Sequence, residues 1–182
     1  KTSMFRFTTA LASCFLAITL MVSSAFARDL ENTLYLDLKD GRVVIELLPE
    51  VAPRHVERIK TLTREGFYDG IVFHRVIDGF MAQTGDPTGT GMGGSDYPDV
   101  RREFSSEPFY RGTIGAARSQ HPDSANSQFF ICLDDSNFLD GKYTVWGRVV
   151  EGMEFVDNIK RGEPPVDPDT IVKMQVAVDV TE

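Results

Sequence analysis

The chain has 182 residues and a formal net charge of −8, with 42% hydrophobic and 25% charged residues. This length corresponds to one domain or at most two small ones, and the composition excludes disordered, collagen-like and multi-span membrane proteins. The acidic balance repels phosphate backbones and argues against a nucleic-acid partner. With only two cysteines, the sequence has no disulfide framework.

The first 27 residues have the features of an export signal. Lys1 and Arg6 precede an uncharged stretch whose apolar centre, 10–22, has the length of a signal-peptide core and is short for a membrane span. The stretch ends in Ala-Phe-Ala, which places small residues where a signal peptidase binds them. We predict cleavage after Ala27 and a periplasmic protein, residues 28–182, with no membrane contact after cleavage. An uncleaved membrane anchor is the alternative.

The remaining chain begins with patterns typical of a hairpin and a helix. Two alternating runs, 34–38 and 43–47, flank an Asp-Gly pair, which predicts a β-hairpin. Pro53 then starts a segment with apolar residues at helical spacing, and Gly66 closes it. A second, shorter helix is predicted at 154–160.

Short strands dominate the rest of the sequence. The runs that predict strands are 71–76, 80–83, 113–117, 128–132, 144–150 and 172–180. Between 84 and 111 the composition changes to glycine, proline and polar residues, and such long loops without regular structure are usually functional or disordered. Many short strands with only two helices predict a mainly β protein, either a barrel or a sandwich.

The familiar catalytic arrangements do not occur in this sequence. His55, His74 and His121 are far apart and lack metal-ligand spacing, so surface or hydrogen-bonded histidines are favoured. The glycine run 89–94 is followed by neither a Lys-Ser/Thr pair nor a helix, which argues against a phosphate-binding loop and favours a flexible loop wall. Cys132 lies in an apolar run and is interpreted as a buried, inert thiol. Neither a metal nor a cofactor is predicted.

One cluster instead combines a charge with amide and apolar groups. Arg75, Met81 and Gln83 have the same alternation parity, so they share a face if the two strands are continuous. Gln128 and Phe130 likewise share one face of the run 127–132. These apolar residues could simply be core, but a guanidinium and two amides argue against that interpretation, because unpaired polar groups avoid cores.

These residues carry a specific resemblance. The segment 73–86, FHRVIDGFMAQTGD, resembles the signature of the cyclophilins, which are peptidyl-prolyl cis/trans isomerases. SQFFIC at 127–132 and FLDGKY at 138–143 are similar to the later motifs of that family, in the same order and spacing. The resemblance extends from about residue 34 to residue 180. It implies a mainly β fold: a closed eight-stranded antiparallel β-barrel capped by two α-helices.

The resemblance also implies roles for individual residues. It makes Arg75 the catalytic arginine, with Phe80 and Gln83 as further catalytic residues. The residues that it implies in substrate binding are His74, Met81, Ala117, Arg118, Gln128, Phe130, Phe138, Leu139 and Tyr143. The best-known eukaryotic members have tryptophan and histidine at the positions of Phe138 and Tyr143, so we expect weak cyclosporin binding.

The function implied by the resemblance is isomerisation of X–Pro bonds in proline-containing polypeptides, namely unfolded exported proteins. We expect a monomer that needs no cofactor. A non-catalytic proline-motif binder or chaperone using the same groove is the alternative. An unrelated small β-barrel for ligand or glycan binding would leave the ordered motifs unexplained.

Overall fold

The computed structural model describes residues 28–180, so the predicted signal segment lies outside the described residues. The strands are β1 (Thr33–Leu38), β2 (Gly41–Leu47), β3 (Arg75–Ile77), β4 (Met81–Thr84), β5 (Thr113–Ala116), β6 (Phe129–Cys132), β7 (Val145–Glu151) and β8 (Lys173–Val176). The helices are α1 (Pro53–Arg64) and α2 (Met153–Asp157). Within the described range, no helix is both long and apolar enough to cross a membrane.

All eight strands form one sheet in the order β3-β4-β6-β5-β7-β2-β1-β8, and every neighbouring pair is antiparallel. This confirms the predicted mainly β fold with two helices. The sheet is a curled half-barrel rather than the fully closed barrel we expected. No ladder joins the edge strands β3 and β8. The segments that precede them are connected by a few backbone hydrogen bonds, including a bridge between Val72 and Thr170. The backbone N–H of Gly70 also donates to the carbonyl of Ile171 at 2.8 Å.

Local patterns explain the first elements of the fold. Leu34 and Leu36 alternate inward on β1 and are fully buried, as expected for a strand with one face on the core. The hairpin between β1 and β2 pairs Leu38 with Gly41. Pro53 occupies the first turn of α1, where the missing N–H costs nothing and the fixed φ suits a helix. Helix α1 packs against β7 and β8, and α2 packs against β2.

Two predicted elements end earlier than expected. The helix predicted at 154–160 ends at Asp157. The strand predicted at 172–180 ends at Val176, and residues Ala177–Asp179 form a 3-10 turn. Val176 pairs with Leu34 near the start of β1, so the chain beyond it has no neighbouring strand to extend the ladder. Between β4 and β5 the described chain forms no helix or strand, as the sequence predicts.

The two faces of the sheet carry separate apolar clusters. Phe129 and Ile131 of β6 point into the main core, together with Ala82 of β4. Phe130 and Cys132 point to the opposite face, where a smaller cluster lies beside the candidate site. The alternation predicted for this segment is therefore confirmed, and it places the site outside the main core.

Candidate active site

Two adjoining cavities lie beside the smaller apolar cluster. The first has a volume of about 110 Å³ and is lined by Arg75, Phe80, Met81, Gln83, Ala117, Arg118, Phe130, Leu139 and Tyr143. The second has a volume of about 380 Å³, and the glycine run forms one of its walls. Three residues line both cavities: Gln83, Ala117 and Arg118. The cavities therefore form one groove with an apolar end and a polar end.

The strand register brings the side chains of the groove together. Arg75 on β3 lies opposite Gln83 on β4, which in turn lies opposite Phe130 on β6. Ile77 is paired with Met81 two residues along the same face. Because directly opposite residues in an antiparallel pair have neighbouring side chains, a guanidinium, an amide and an aromatic ring become adjacent.

The apolar end has a closely packed floor. Met81 and Phe130 are 2% and 5% exposed. The Phe130 ring stacks on Phe109, with centroids 5.7 Å apart and planes inclined by 23°. Tyr143 meets Phe130 edge to face at 5.8 Å. These contacts fix the ring that forms the base of the smaller cavity.

The guanidinium of Arg75 is held from one side only. Its Nε donates to Oε2 of Glu163 at 2.7 Å, and within residues 28–180 its side chain makes no other hydrogen bond. The arginine side chain is 43% exposed. Both terminal nitrogens are therefore available beside the apolar cavity.

Arg118 forms a rigid wall between the two cavities. Its guanidinium carbon lies 4.4 Å from the centre of the Tyr143 ring, within cation–π range. Its Nη2 donates to the carbonyl of Lys142 at 2.7 Å, and its Nη1 donates to the carbonyl of Ser119 at 2.9 Å. These contacts pin the side chain against Tyr143.

Two glutamines connect the strands to the glycine-rich loop. Nε2 of Gln83 donates to Oε1 of Gln128 at 2.9 Å. Nε2 of Gln128 donates to the carbonyls of Gly91 and Gly93 at 3.0 and 2.8 Å. Gln128 lines the larger cavity. Its hydrogen bond to Gln83 connects it to the smaller cavity.

The glycine-rich loop is organised around a buried carboxylate. Asp86, 1% exposed, accepts hydrogen bonds from the backbone N–H groups of Thr88, Thr90 and Gly91 at 2.8, 3.1 and 2.6 Å. Burial alone would raise the pKa of Asp86, but hydrogen bonds from Thr88 and the loop amides outweigh it and lower the pKa to about 2. The carboxylate therefore stays charged and fixes the loop conformation.

Nine of the twelve predicted site residues line the smaller cavity. Phe138 lies at its edge, 60% exposed, with its ring centre 5.2 Å from that of Phe80. His74 is 6% exposed, lies behind Gly91 and lines neither cavity, so its predicted contact with substrate stays a prediction. Extended backbone sends consecutive side chains to opposite faces, so Arg75 faces the groove and His74 does not.

Burial also makes Cys132 unsuitable as a nucleophile. The thiol is free and fully buried, and burial raises its pKa to about 12. Among the described residues, no group of three His, Cys, Asp or Glu side chains is arranged to hold a metal ion. The smaller cavity therefore offers two guanidinium groups, one amide, one phenol and apolar surface, the polar groups being those of Arg75, Arg118, Gln83 and Tyr143.

The family model described as cyclophilin type peptidyl-prolyl cis-trans isomerase/CLD matches residues 33–176, which include every strand of the sheet. The chain belongs to this family. A probable peptidyl-prolyl cis-trans isomerase of Brucella suis biovar 1 is 52% identical over 185 residues, covering 92% of this chain and 94% of that relative. Peptidyl-prolyl cis-trans isomerase B of Bacillus subtilis is 42% identical, with 72% and 93% covered.

Solved cyclophilin structures share the fold. The crystal structure of the cyclophilin AquaCyp293 from Hirschia baltica has a TM-score of 0.78 and 32% identity, covering 84% of this chain and 76% of that one. A Cryptosporidium parvum cyclophilin determined in the presence of the dipeptide Ala-Pro has a TM-score of 0.74 and 28% identity, covering 79% of this chain and 98% of that one. The recognition of a cyclophilin from the sequence motifs is confirmed.

Three features of this cyclophilin groove are not predicted by the sequence motifs. Glu163 reaches Arg75 from a part of the chain 88 residues away, and no motif marks it. Asp86 falls within the signature, but its role in ordering the loop depends on backbone donors. Gly115 has no side chain, and this absence leaves room for the Phe130 ring that lies over it. Of the three, only the role of Asp86 has a signal in the sequence, because an acidic residue before a Thr- and Gly-rich segment often forms local side-chain-to-backbone hydrogen bonds.

Proposed function

We propose that this cyclophilin accelerates cis/trans isomerisation of X–Pro bonds in exported polypeptides, with Arg75 stabilising the twisted transition state. The observation that carries the proposal is the Arg75 guanidinium on the wall of a small apolar cavity, where the described chain leaves its terminal nitrogens unbonded. The Ala-Pro dipeptide named for the Cryptosporidium parvum cyclophilin supports a prolyl ligand for this groove.

The chemistry of the groove suits this reaction. Amide resonance imposes a barrier of about 20 kcal/mol on rotation about the X–Pro bond. The barrier falls when the nitrogen lone pair is drawn out of conjugation, and no covalent bond needs to break. The guanidinium of Arg75 can donate a hydrogen bond to the prolyl nitrogen or to the twisting carbonyl, and it stays protonated at any working pH.

The other groove residues have complementary roles in this proposal. The rings of Phe80 and Phe130 and the side chain of Met81 surround the proline ring. Gln83, which is fixed by Gln128, positions the flanking peptide backbone. Because the apolar walls lower the local dielectric, they strengthen the contact that Arg75 makes in the transition state. Only that state gains the full interaction, which is what catalysis requires.

A protease-coupled assay with a proline peptide tests the proposal. We expect Arg75→Ala to fold normally and to lose about 10²–10³ in rate, the usual cost of removing one pre-organised donor. Arg75→Lys should also be impaired, because an ammonium cannot reproduce the planar fork. Arg148→Ala is the control, since Arg148 is an exposed β7 residue that pairs with Glu107 outside both cavities.

Two outcomes of the assay would change the assignment. Turnover of Arg75→Ala equal to that of the wild type, with an intact circular dichroism spectrum, contradicts the role of the arginine. Binding of proline peptides by the wild type without any acceleration favours the alternative function, a proline-motif binder or chaperone.

Export is a separate part of the proposal and rests on the pattern of residues 1–27. Intact mass of protein recovered from the periplasm should correspond to a chain that begins at Arg28. A species that keeps residues 1–27 in the membrane fraction would favour the membrane anchor. The net charge of −8 favours solubility, as expected for an enzyme that acts on unfolded exported proteins.

A further inference from the structure

We propose that Glu163 is a positioning residue for Arg75, an inference that rests on the proposed isomerase function. The carboxylate accepts the Nε–H of Arg75 at 2.7 Å. This single contact uses the N–H of Nε, the guanidinium nitrogen that is bonded to the aliphatic part of the side chain. The two terminal nitrogens remain free for the substrate, and the plane of the guanidinium is held in one orientation.

The backbone brings the two residues together. Val76 and Gly162 exchange two hydrogen bonds, N–H to carbonyl in each direction, both at 2.8 Å. In an antiparallel pair of this kind, the next two residues face each other without backbone hydrogen bonds, and their side chains are then closest. That next pair is Arg75 and Glu163.

Gly162 is required for this approach. Its φ is +148°, and a Cβ there would lie 2.5 Å from the Cα of Pro165. A glycine therefore lets the chain turn tightly after the bridge to Val76. The turn delivers Glu163 to the side of β3 that β4 does not occupy.

Arg75 consequently has a neighbour on each side. Gln83 lies opposite it on β4, but the amide of Gln83 donates to Gln128 and not to the arginine. Within residues 28–180, Glu163 is the only residue that hydrogen-bonds the Arg75 side chain. Without Glu163, a long side chain that is 43% exposed would sample several rotamers.

Because this ion pair is exposed, Glu163 can orient Arg75 without adding much to the free energy of unfolding. The two side chains are 43% and 53% exposed, and ion pairs of that kind contribute little to folding free energy. Removing Glu163 should therefore leave the fold intact. Its effect is expected in the reaction, where a fixed donor direction matters most.

The first test measures kcat and KM with a proline peptide. We expect Glu163→Ala to lower kcat by about tenfold with little change in KM, because the orientation of Arg75 matters chiefly in the transition state. Glu163→Gln keeps a carbonyl oxygen that accepts from Nε and should recover most of the activity. Asp78→Asn is the charge control: Asp78 pairs with Arg161 at 3.0 Å, close to β3 but without contact to Arg75, and turnover should not change.

A double-mutant cycle distinguishes positioning from a general structural effect. In the Arg75→Ala background, adding Glu163→Ala should cause no further loss, since the group that it orients is gone. A structural role would cost the same in both backgrounds. Wild-type kcat for Glu163→Ala, equal losses for Glu163→Ala and Glu163→Gln, an equal loss for Asp78→Asn, or additive losses in the cycle would each overturn the inference. If Arg75→Ala itself were fully active, the proposed role of Arg75 would fail first.

Discussion

The Phe130 ring covers the backbone of Gly115 on the neighbouring strand. Gly115 of β5 pairs with Phe130 of β6, and a Cβ on Gly115 would lie 2.5 Å from Cζ of that ring. It would also lie 2.7 Å from Cε1 of Phe109. The base of the smaller cavity therefore depends on the absence of a side chain at this position.

We expect Gly115→Ala to lower both activity and stability. The added methyl group must displace the Phe130 ring, and overpacking of this kind costs about 1–3 kcal/mol of unfolding free energy. A shift of about 1 Å at the cavity floor can lower kcat/KM by up to about a hundredfold. Urea unfolding and the coupled isomerase assay measure the two effects.

Gly70→Ala is the matched control for this variant. Gly70 has a φ of +81°, and no atom lies within 4 Å of the position a Cβ would take. The alanine should therefore cost stability through backbone strain and leave kcat/KM alone. If Gly115→Ala lost no more activity than Gly70→Ala, the position of the Phe130 ring would not limit the reaction.

A second prediction concerns the loop around Asp86. Asp86→Asn keeps one acceptor oxygen but turns an NH₂ group toward backbone N–H donors, so unfolding free energy should fall by about 1–3 kcal/mol. KM should rise as well, because the loop carbonyls of Gly91 and Gly93 hold Gln128. Asp96→Asn, an exposed substitution in the same loop, should change neither quantity.

The effect of Asp86→Asn should depend on pH in a defined direction. Folding lowers the pKa of Asp86 from 3.8 to about 2, so the unfolded chain takes up the proton first as the pH falls. The contribution of this carboxylate is fully present above pH 3.8 and is lost as the pH falls toward 2. The stability difference between wild type and Asp86→Asn should therefore shrink at pH 2.5 relative to pH 7. A constant difference would contradict this account.

A third prediction follows from the burial of His74. Neither ring nitrogen has a hydrogen-bond partner within the described chain. Burial lowers the pKa of His74 from its usual 6.5; the Asp86 carboxylate opposes this shift and Arg75 adds to it. The ring is therefore harder to protonate in the folded protein than in the unfolded chain, which binds a proton near pH 6.5. Stability must fall as the pH drops below that value, by up to about 1.4 kcal/mol per pH unit for one proton.

His74→Phe should remove part of this pH dependence. Urea unfolding at pH 7.5 and pH 5.5 measures it. The slope should not vanish, because burial lowers the pKa of His55 as well. His121→Gln, which removes an exposed histidine, is measured alongside as the control. An identical slope in His74→Phe and wild type would contradict the prediction.

The sequence predicts those parts of the site that depend on local alternation. Arg75, Gln83 and Phe130 share a face because side chains alternate along each strand with a period of two. The resemblance of their motifs to those of the cyclophilins predicts that the strands are neighbours. Glu163 could not be predicted, because its position depends on one bridge between residues far apart in sequence. For His74, membership of a motif does not reveal which face the side chain takes, and the ring lines neither cavity. The closed barrel was wrong for a related reason, since closure depends on pairing between the edge strands β3 and β8, which are far apart in sequence.

The last prediction concerns cyclosporin. Phe138 is 60% exposed at the edge of the cavity and contacts Phe80, where the best-known eukaryotic cyclophilins have a tryptophan. Phenylalanine provides apolar surface but no N–H donor. An acceptor on the bound drug that remains unpaired costs about 1–3 kcal/mol, or about five- to 150-fold in affinity.

We therefore expect weak inhibition of the native protein and tighter inhibition of Phe138→Trp, measured as inhibition constants in the coupled assay and normalised to the turnover of each variant. Phe104→Trp is the control, because Phe104 is a partly exposed ring near Arg118 that lines neither cavity. It adds an indole without placing a donor beside Phe80, so it should not tighten inhibition. Equal tightening by both variants would indicate that added aromatic surface alone is responsible. Native inhibition as tight as that of a tryptophan-bearing cyclophilin measured alongside would show that the drug does not need the indole donor.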